Sequence, residues 1–118
     1  MSILLLSDDL LFASRVTGSA KEHGIGVSVC RTPEILLIEV QTQLPTCVIL
    51  DLSNPGLNVA RLVPDLKRRT PPPKVVAYGS HVDVETLKAA RAAGCDLVLP
   101  RSQFVEELPR ALPEWARG

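Results

Sequence analysis

Val48-Ile49-Leu50-Asp51-Leu52, closing at Asn54-Pro55-Gly56, decides how this chain reads. The apolar run has the length of a buried strand, and the Asn-Pro-Gly cluster ends it in a turn. Asp51 therefore stands at the carboxyl end of an apolar strand, where open α/β sheets place ligands and chemistry. A second acidic pair, Asp8-Asp9, follows another apolar run, Ile3-Leu4-Leu5-Leu6. Two strand-end carboxyl sites in one small α/β chain point to a divalent-cation or phosphoryl site.

Apolar runs of strand length recur five times, at residues 3–6, 27–30, 48–52, 75–78 and 97–99. Between them lie amphipathic stretches of helical length. That alternation predicts βαβ units and a parallel sheet with right-handed crossovers. The first helix carries Leu11, Phe12, Val16 and Ala20 at helical spacing and stops at His23-Gly24. Thr32-Pro33 supplies an N-cap and a first-turn proline for a second helix through residues 35–43. A third helix, about residues 59–69, contains Pro64, which is expected to kink it or delay its start. Pro71-Pro72-Pro73 then makes a stiff connector. The fourth helix covers about residues 84–93, capped by Asp83 or Ser80 and stopped by Gly94. The last holds Phe104, Leu108 and Leu112, with Pro109 as its weak point.

A length of 118 residues predicts one domain covering the whole chain, 1–118. Thirteen basic residues balance thirteen acidic ones, which argues against a nucleic-acid footprint or an anionic membrane partner. Lys67-Arg68-Arg69 reads as a solvated helix end whose cations favour the helix dipole. Cys30, Cys47 and Cys95 lie in or beside apolar segments and read as reduced thiols of a cytoplasmic protein. No Cys/His spacing suggests zinc, and the first apolar run is too short to span a membrane.

The succession of five β/α units, with Asp51 ending the third strand and acids after the first, resembles a response-regulator receiver domain, the CheY-like family. The resemblance covers the whole chain. The segment from Pro45 to Gly56 is similar to the family's phosphoacceptor strand and its Pro-Gly turn. Ala92-Ala93-Gly94-Cys95-Asp96 resembles the end of the fourth helix, and Val105-Glu106-Glu107-Leu108 the start of the fifth. The resemblance implies a flavodoxin-like three-layer α/β sandwich: a five-stranded parallel sheet in the order 2-1-3-4-5 with helices on both faces. It also implies Asp51 as phosphoacceptor, Mg2+ held by Asp8, Asp9 and Asp51, and no organic cofactor. Implied partners are a sensor histidine kinase or another signalling protein, with homodimer formation open and no nucleic acid or membrane bound by this domain.

Several positions depart from the family pattern. Counting back from Gly94 without gaps puts the switch hydroxyl position on Gly79, and a one-residue slip would offer Ser80. A gapless run through Glu106-Glu107-Leu108 places Arg101 where the family has lysine, Ser102 where proline follows, and Val98 where an aromatic switch residue stands. A rival match through Pro100 leaves Leu99 at the lysine position. Arginine keeps the charge, but its planar fork is not equivalent to an ammonium. The acids are open between two matches, Asp8-Asp9 as the pair or, through Leu11-Phe12, Ser7 and Asp8; Asp8 is retained under both and is the preferred residue.

Each of these residues also has an ordinary structural role. Asp51 could cap the turn that follows it, and Asp8 and Asp9 could cap the first helix. Arg101 could be a solvated strand-end residue; Tyr78 and Trp115 read as packing residues. The expectation is an atypical receiver that acts as a protein-interaction module, not an enzyme. The resemblance implies an output surface built from the fourth helix, fifth strand and fifth helix, roughly residues 84–92 and 104–112. The alternative is a working receiver phosphorylated on Asp51 with Mg2+. A flavodoxin-like enzyme or nucleotide-binding domain has little support, since the chain has no GxGxxG, P-loop or nucleophile elbow.

Overall fold

The computed structural model describes residues 2–118. Five strands alternate with five helices: β1 (Ser2–Leu6), α1 (Leu10–Glu22), β2 (Gly26–Cys30), α2 (Pro33–Gln43), β3 (Cys47–Asp51), α3 (Val59–Lys67), β4 (Lys74–Gly79), α4 (Val84–Ala93), β5 (Leu97–Pro100) and α5 (Arg101–Ala116). All strands pair in parallel, in the order β2-β1-β3-β4-β5. This is the flavodoxin-like order, and its switch point lies between β1 and β3, beside Asp51.

Alternation along the strands divides the core by face. Ile3, Leu5, Ile49, Val76, Tyr78 and Leu99 pack under α1 and α5, with Val16, Phe104, Leu108, Leu112 and Trp115. Leu4, Leu6, Val48, Leu50, Val75, Ala77 and Val98 pack under α2, α3 and α4, with Leu36, Val40, Leu62, Leu66 and Leu87. Because both faces are covered, the central strand β3 is buried at every residue, which is why it reads as an unbroken apolar run.

Local chemistry sets the helix limits. Asp9, Thr32 and Asp83 each accept a hydrogen bond from a first-turn amide at the starts of α1, α2 and α4. Asp83, not Ser80, is therefore the cap of α4. Gly94 ends α4 with φ of 106°, a conformation that glycine adopts without a Cβ penalty. Pro64 lies within α3 without delaying its start at Val59, and the helix ends at Lys67, two residues before the expected limit. The last helix is longer than its prolines suggest. It runs sixteen residues through both Pro109 and Pro113. Proline at 113 has no N–H for the carbonyl of Pro109, and the ring Nε2 of His23 stands 2.8 Å from that oxygen instead. The α1 terminus thus partners a carbonyl that α5 leaves unpaired.

Candidate functional site

The carboxyl ends of β1, β3 and β4 bring Ser7, Asp51 and Tyr78 onto the α1/α5 side of the sheet. Register aligns Leu6 with Leu50 and Asp51 with Tyr78. Asp51 is only 1 % exposed. Its Oδ1 accepts from the Ser53 amide at 2.9 Å and the Ser53 hydroxyl at 2.6 Å, an Asx-type turn that starts the loop to α3. Its Oδ2 faces the Ser7 hydroxyl at 3.4 Å. Ser7 Oγ also accepts from the Asp9 amide at 3.1 Å, so this hydroxyl links the end of β1 to the cap of α1.

Asp9 has two partners. Its Oδ1 accepts from the Phe12 amide at 3.1 Å, and its Oδ2 lies 3.8 Å from the Arg101 guanidinium. Arg101, the first residue of α5, reaches Asp51 Oδ1 with its other arm at 3.9 Å. These separations lie in ion-pair range and beyond a direct hydrogen bond. The guanidinium carbon stands 4.9 Å from the Phe12 ring centroid and 5.7 Å from that of Tyr78, within cation–π distance. The Tyr78 hydroxyl is buried with no hydrogen-bond partner among the described residues. Burial, reinforced by the nearby Asp51 charge, raises its pKa well above the usual phenol value.

The sequence-expected residues do not all meet. Asp9, Asp51 and Arg101 come together, whereas Asp8 is exposed outside the cluster. Gly79 is buried as the last residue of β4. A Cβ there would lie 3.3 Å from Leu52 Cβ and Cδ1 and 3.4 Å from Leu87 Cδ2, so those apolar side chains would have to give way slightly to any side chain at this position. Ser80 is exposed in the next loop, and its Oγ accepts from the Val82 amide at 3.4 Å. Val98 is buried on the opposite face, among α2–α4 side chains. An open cleft of about 890 Å³ above Asp51 is bordered by Asp9, Phe12, Arg15, Ser53, Ser80 and Arg101. Ser53, Phe12 and Tyr78 were not expected at this site. The Asp-Leu-Ser spacing that makes the Asx turn was the available signal for Ser53; the two rings arrive only by tertiary packing.

The acids do not fit a divalent cation. No three His, Cys, Asp or Glu side chains among the described residues are grouped to hold a metal. A hydroxyl, Ser7, faces Asp51 Oδ2, and Asp9 and Asp51 Oδ1 are engaged by a helix cap, Ser53 and Arg101. Mg2+ takes one or two free carboxylates with waters completing its octahedron, and here those carboxylate oxygens already have protein partners.

Burial pushes the thiols of Cys30 and Cys95 up to about 11 and that of Cys47 up to about 12, which favours the neutral thiol over the nucleophilic thiolate in all three free cysteines. No helix among the described residues is long and apolar enough to cross a membrane.

Comparison with known proteins gives the class of fold. No protein-family model matches the chain. The photosynthetic apparatus regulatory protein RegA of Rhodobacter capsulatus is 24 % identical over 111 residues, covering 94 % of this chain and 60 % of RegA. The chain thus spans about three-fifths of the length of that curated relative. The receiver domain of NtrX from Brucella abortus superposes with a TM-score of 0.82 at 21 % identity, covering 97 % of each chain. A response-regulator receiver from Bermanella marisrubri gives 0.84 at 23 % identity, over 97 % of this chain and 96 % of that one. A putative response regulator from Chloroflexus aurantiacus gives 0.84 at 18 % identity, over 99 % and 98 %. The chain has the fold of response-regulator receiver domains, with the strand order that the sequence led us to expect.

Proposed function

We propose that this chain is an atypical receiver: a cytoplasmic protein-interaction module of signal transduction, without catalytic activity, whose acceptor-position aspartate is uncoupled from its output surface. Gly79 carries this reading. A receiver switch needs a hydroxyl that follows the phosphoryl group and an element with two arrangements. On the gapless match, that position is Gly79, which has no side chain and is closely approached by Leu52 and Leu87, and the aromatic position is the buried Val98. The partner is a signalling protein that meets exposed parts of α4 and α5, such as Val84, Lys88, Gln103, Glu106 and Arg110. Phe104, Leu108 and Leu112 are buried in the core and take no direct part.

The test is addition of beryllofluoride with Mg2+ while backbone amide shifts are followed. We expect shifts that are absent or confined to the loops around Asp51. Shifts spreading through α4 and α5 would overturn the proposal.

A second reading, a working phosphoacceptor charged at Asp51 by a sensor histidine kinase, draws support from the approach of Arg101 to Asp51 at 3.9 Å. It requires a mass gain of one phosphoryl group with acetyl phosphate and Mg2+, lost in Asp51→Asn. No gain under conditions that label an ordinary receiver would remove this reading.

A further inference from the structure

We infer that the Arg101 guanidinium is the resident cation of this pocket, occupying the position between Asp9 and Asp51 where a divalent ion would otherwise be needed. The inference takes from the atypical-receiver reading only the location of the site. One arm of the guanidinium lies 3.8 Å from Asp9 Oδ2, and the other lies 3.9 Å from Asp51 Oδ1. A single planar group thus spans two carboxylates from different strand ends. A buried carboxylate such as Asp51 needs a compensating charge, and arginine supplies one that is not lost at any ordinary pH.

Two further features fit the assignment. First, Ser7 presents a neutral hydroxyl to Asp51 Oδ2, which removes one negative charge from the immediate neighbourhood. The clustered charges are then two carboxylates and one guanidinium, so a resident cation already offsets part of the negative charge that would draw a divalent ion. Second, Phe12 and Tyr78 provide faces for the guanidinium. A hydrated ion finds nothing to coordinate on those rings, whereas a weakly hydrated planar cation packs on them. The pocket is built for arginine and against metal.

The test uses Mg2+ alone as the probe, with amide shifts and thermal melts of five proteins: wild type, Arg101→Ala, Asp51→Asn, the double variant Ser7→Asp/Arg101→Lys, and that double variant with Asp51→Asn added. Wild type should show no saturable shift at Asp9, Asp51 or Ser53 and no change in Tm at millimolar Mg2+. The double variant, with an acid restored and the fork removed, should show saturable shifts at those amides. Its Tm should rise with Mg2+ by about 3–6 °C, and adding Asp51→Asn should abolish both effects. Saturable binding by wild type would overturn the inference, as would Mg2+ insensitivity of both Arg101 variants. If the double variant does not fold, a cycle combining Arg101→Ala with Asp51→Asn decides: strictly additive losses of Tm would overturn the ion pair, and coupling would support it. None of these measurements uses a phosphoryl donor, so their outcome is separable from that of the beryllofluoride and acetyl phosphate experiments.

Discussion

At Gly79 the backbone of β4 passes Leu52 and Leu87 closely enough that they must give slightly to admit a Cβ. Introducing a threonine is therefore a packing problem before it is a signalling one. Gly79→Thr should destabilise the protein by about 1–3 kcal/mol through overpacking, read as a lower urea midpoint at unchanged m-value. The same variant should not restore long-range shifts on beryllofluoride addition, because Val98 remains buried on the far face. Asp51 stands out in the sequence because a carboxylate after four apolar residues is conspicuous. Its neighbours are less visible. Linear matching left Ser7, Asp8 and Asp9 open, since adjacent residues after a strand can point in any direction. The geometry turns Ser7 and Asp9 inward and leaves Asp8 exposed, an outcome set by the Ser7 and Asp9 hydrogen bonds.

At the scale of elements, the five strands and five helices follow from patterns that local physics writes plainly: β-type apolar runs, Thr32-Pro33, Asp83 and Gly94. The exception is α5, where Pro109 argues for a break and the helix nevertheless persists to Ala116. Its apolar residues Phe104, Leu108, Leu112 and Trp115 are all buried, and that burial outweighs the missing amide donors. The His23–Pro109 contact adds a local compensation that no single-helix reading could contain. His23→Ala should lower stability by about 0.5–1 kcal/mol in urea titrations. In a Pro113→Ala background, where residue 113 regains an amide for the Pro109 carbonyl, the same substitution should cost less. An equal cost in both backgrounds would show that the contact does not compensate for Pro113.

For the whole molecule, the most informative ionic tie lies far from the cleft, where Asp96 joins three elements. Its Oδ2 accepts from Lys67 Nζ at 2.7 Å and from the Val75 amide at 2.7 Å, and Lys67 Nζ also donates to the Pro73 carbonyl at 3.0 Å. Partial burial opposes ionisation of Asp96, but the Lys67 ammonium and the Val75 amide outweigh it and hold the carboxyl below the usual aspartate range. Because the folded-state pKa is lowered, this stabilisation is fully present above the ordinary value of 3.8 and is lost as pH falls through the folded-state value. The side chain is 36 % exposed, so water screens the pair and its contribution should stay below about 1 kcal/mol. Acid unfolding followed by circular dichroism should therefore show a shallower loss below that pH in Asp96→Ala than in wild type; identical acid limbs would remove this account. The Gly94-Cys95-Asp96 stretch was legible as part of a receiver pattern, but its partners at Lys67 and Val75 were not, because they come from elements twenty or more residues away. The aromatic side chains show a similar long-range convergence. The chain has four, and they form one continuous column: Phe12 and Tyr78 with centroids 4.8 Å apart, Tyr78 and Phe104 at 4.5 Å, and Phe104 and Trp115 at 5.5 Å. The only tyrosine lies buried beneath Arg101, next to Phe12 at one end of that column, and the only tryptophan lies at the other end. The protein thus carries its own fluorescent pair, with no introduced label needed: light absorbed by Tyr78 has one indole to reach, and the emission of Trp115 reports on the packing that joins α5 to the cleft.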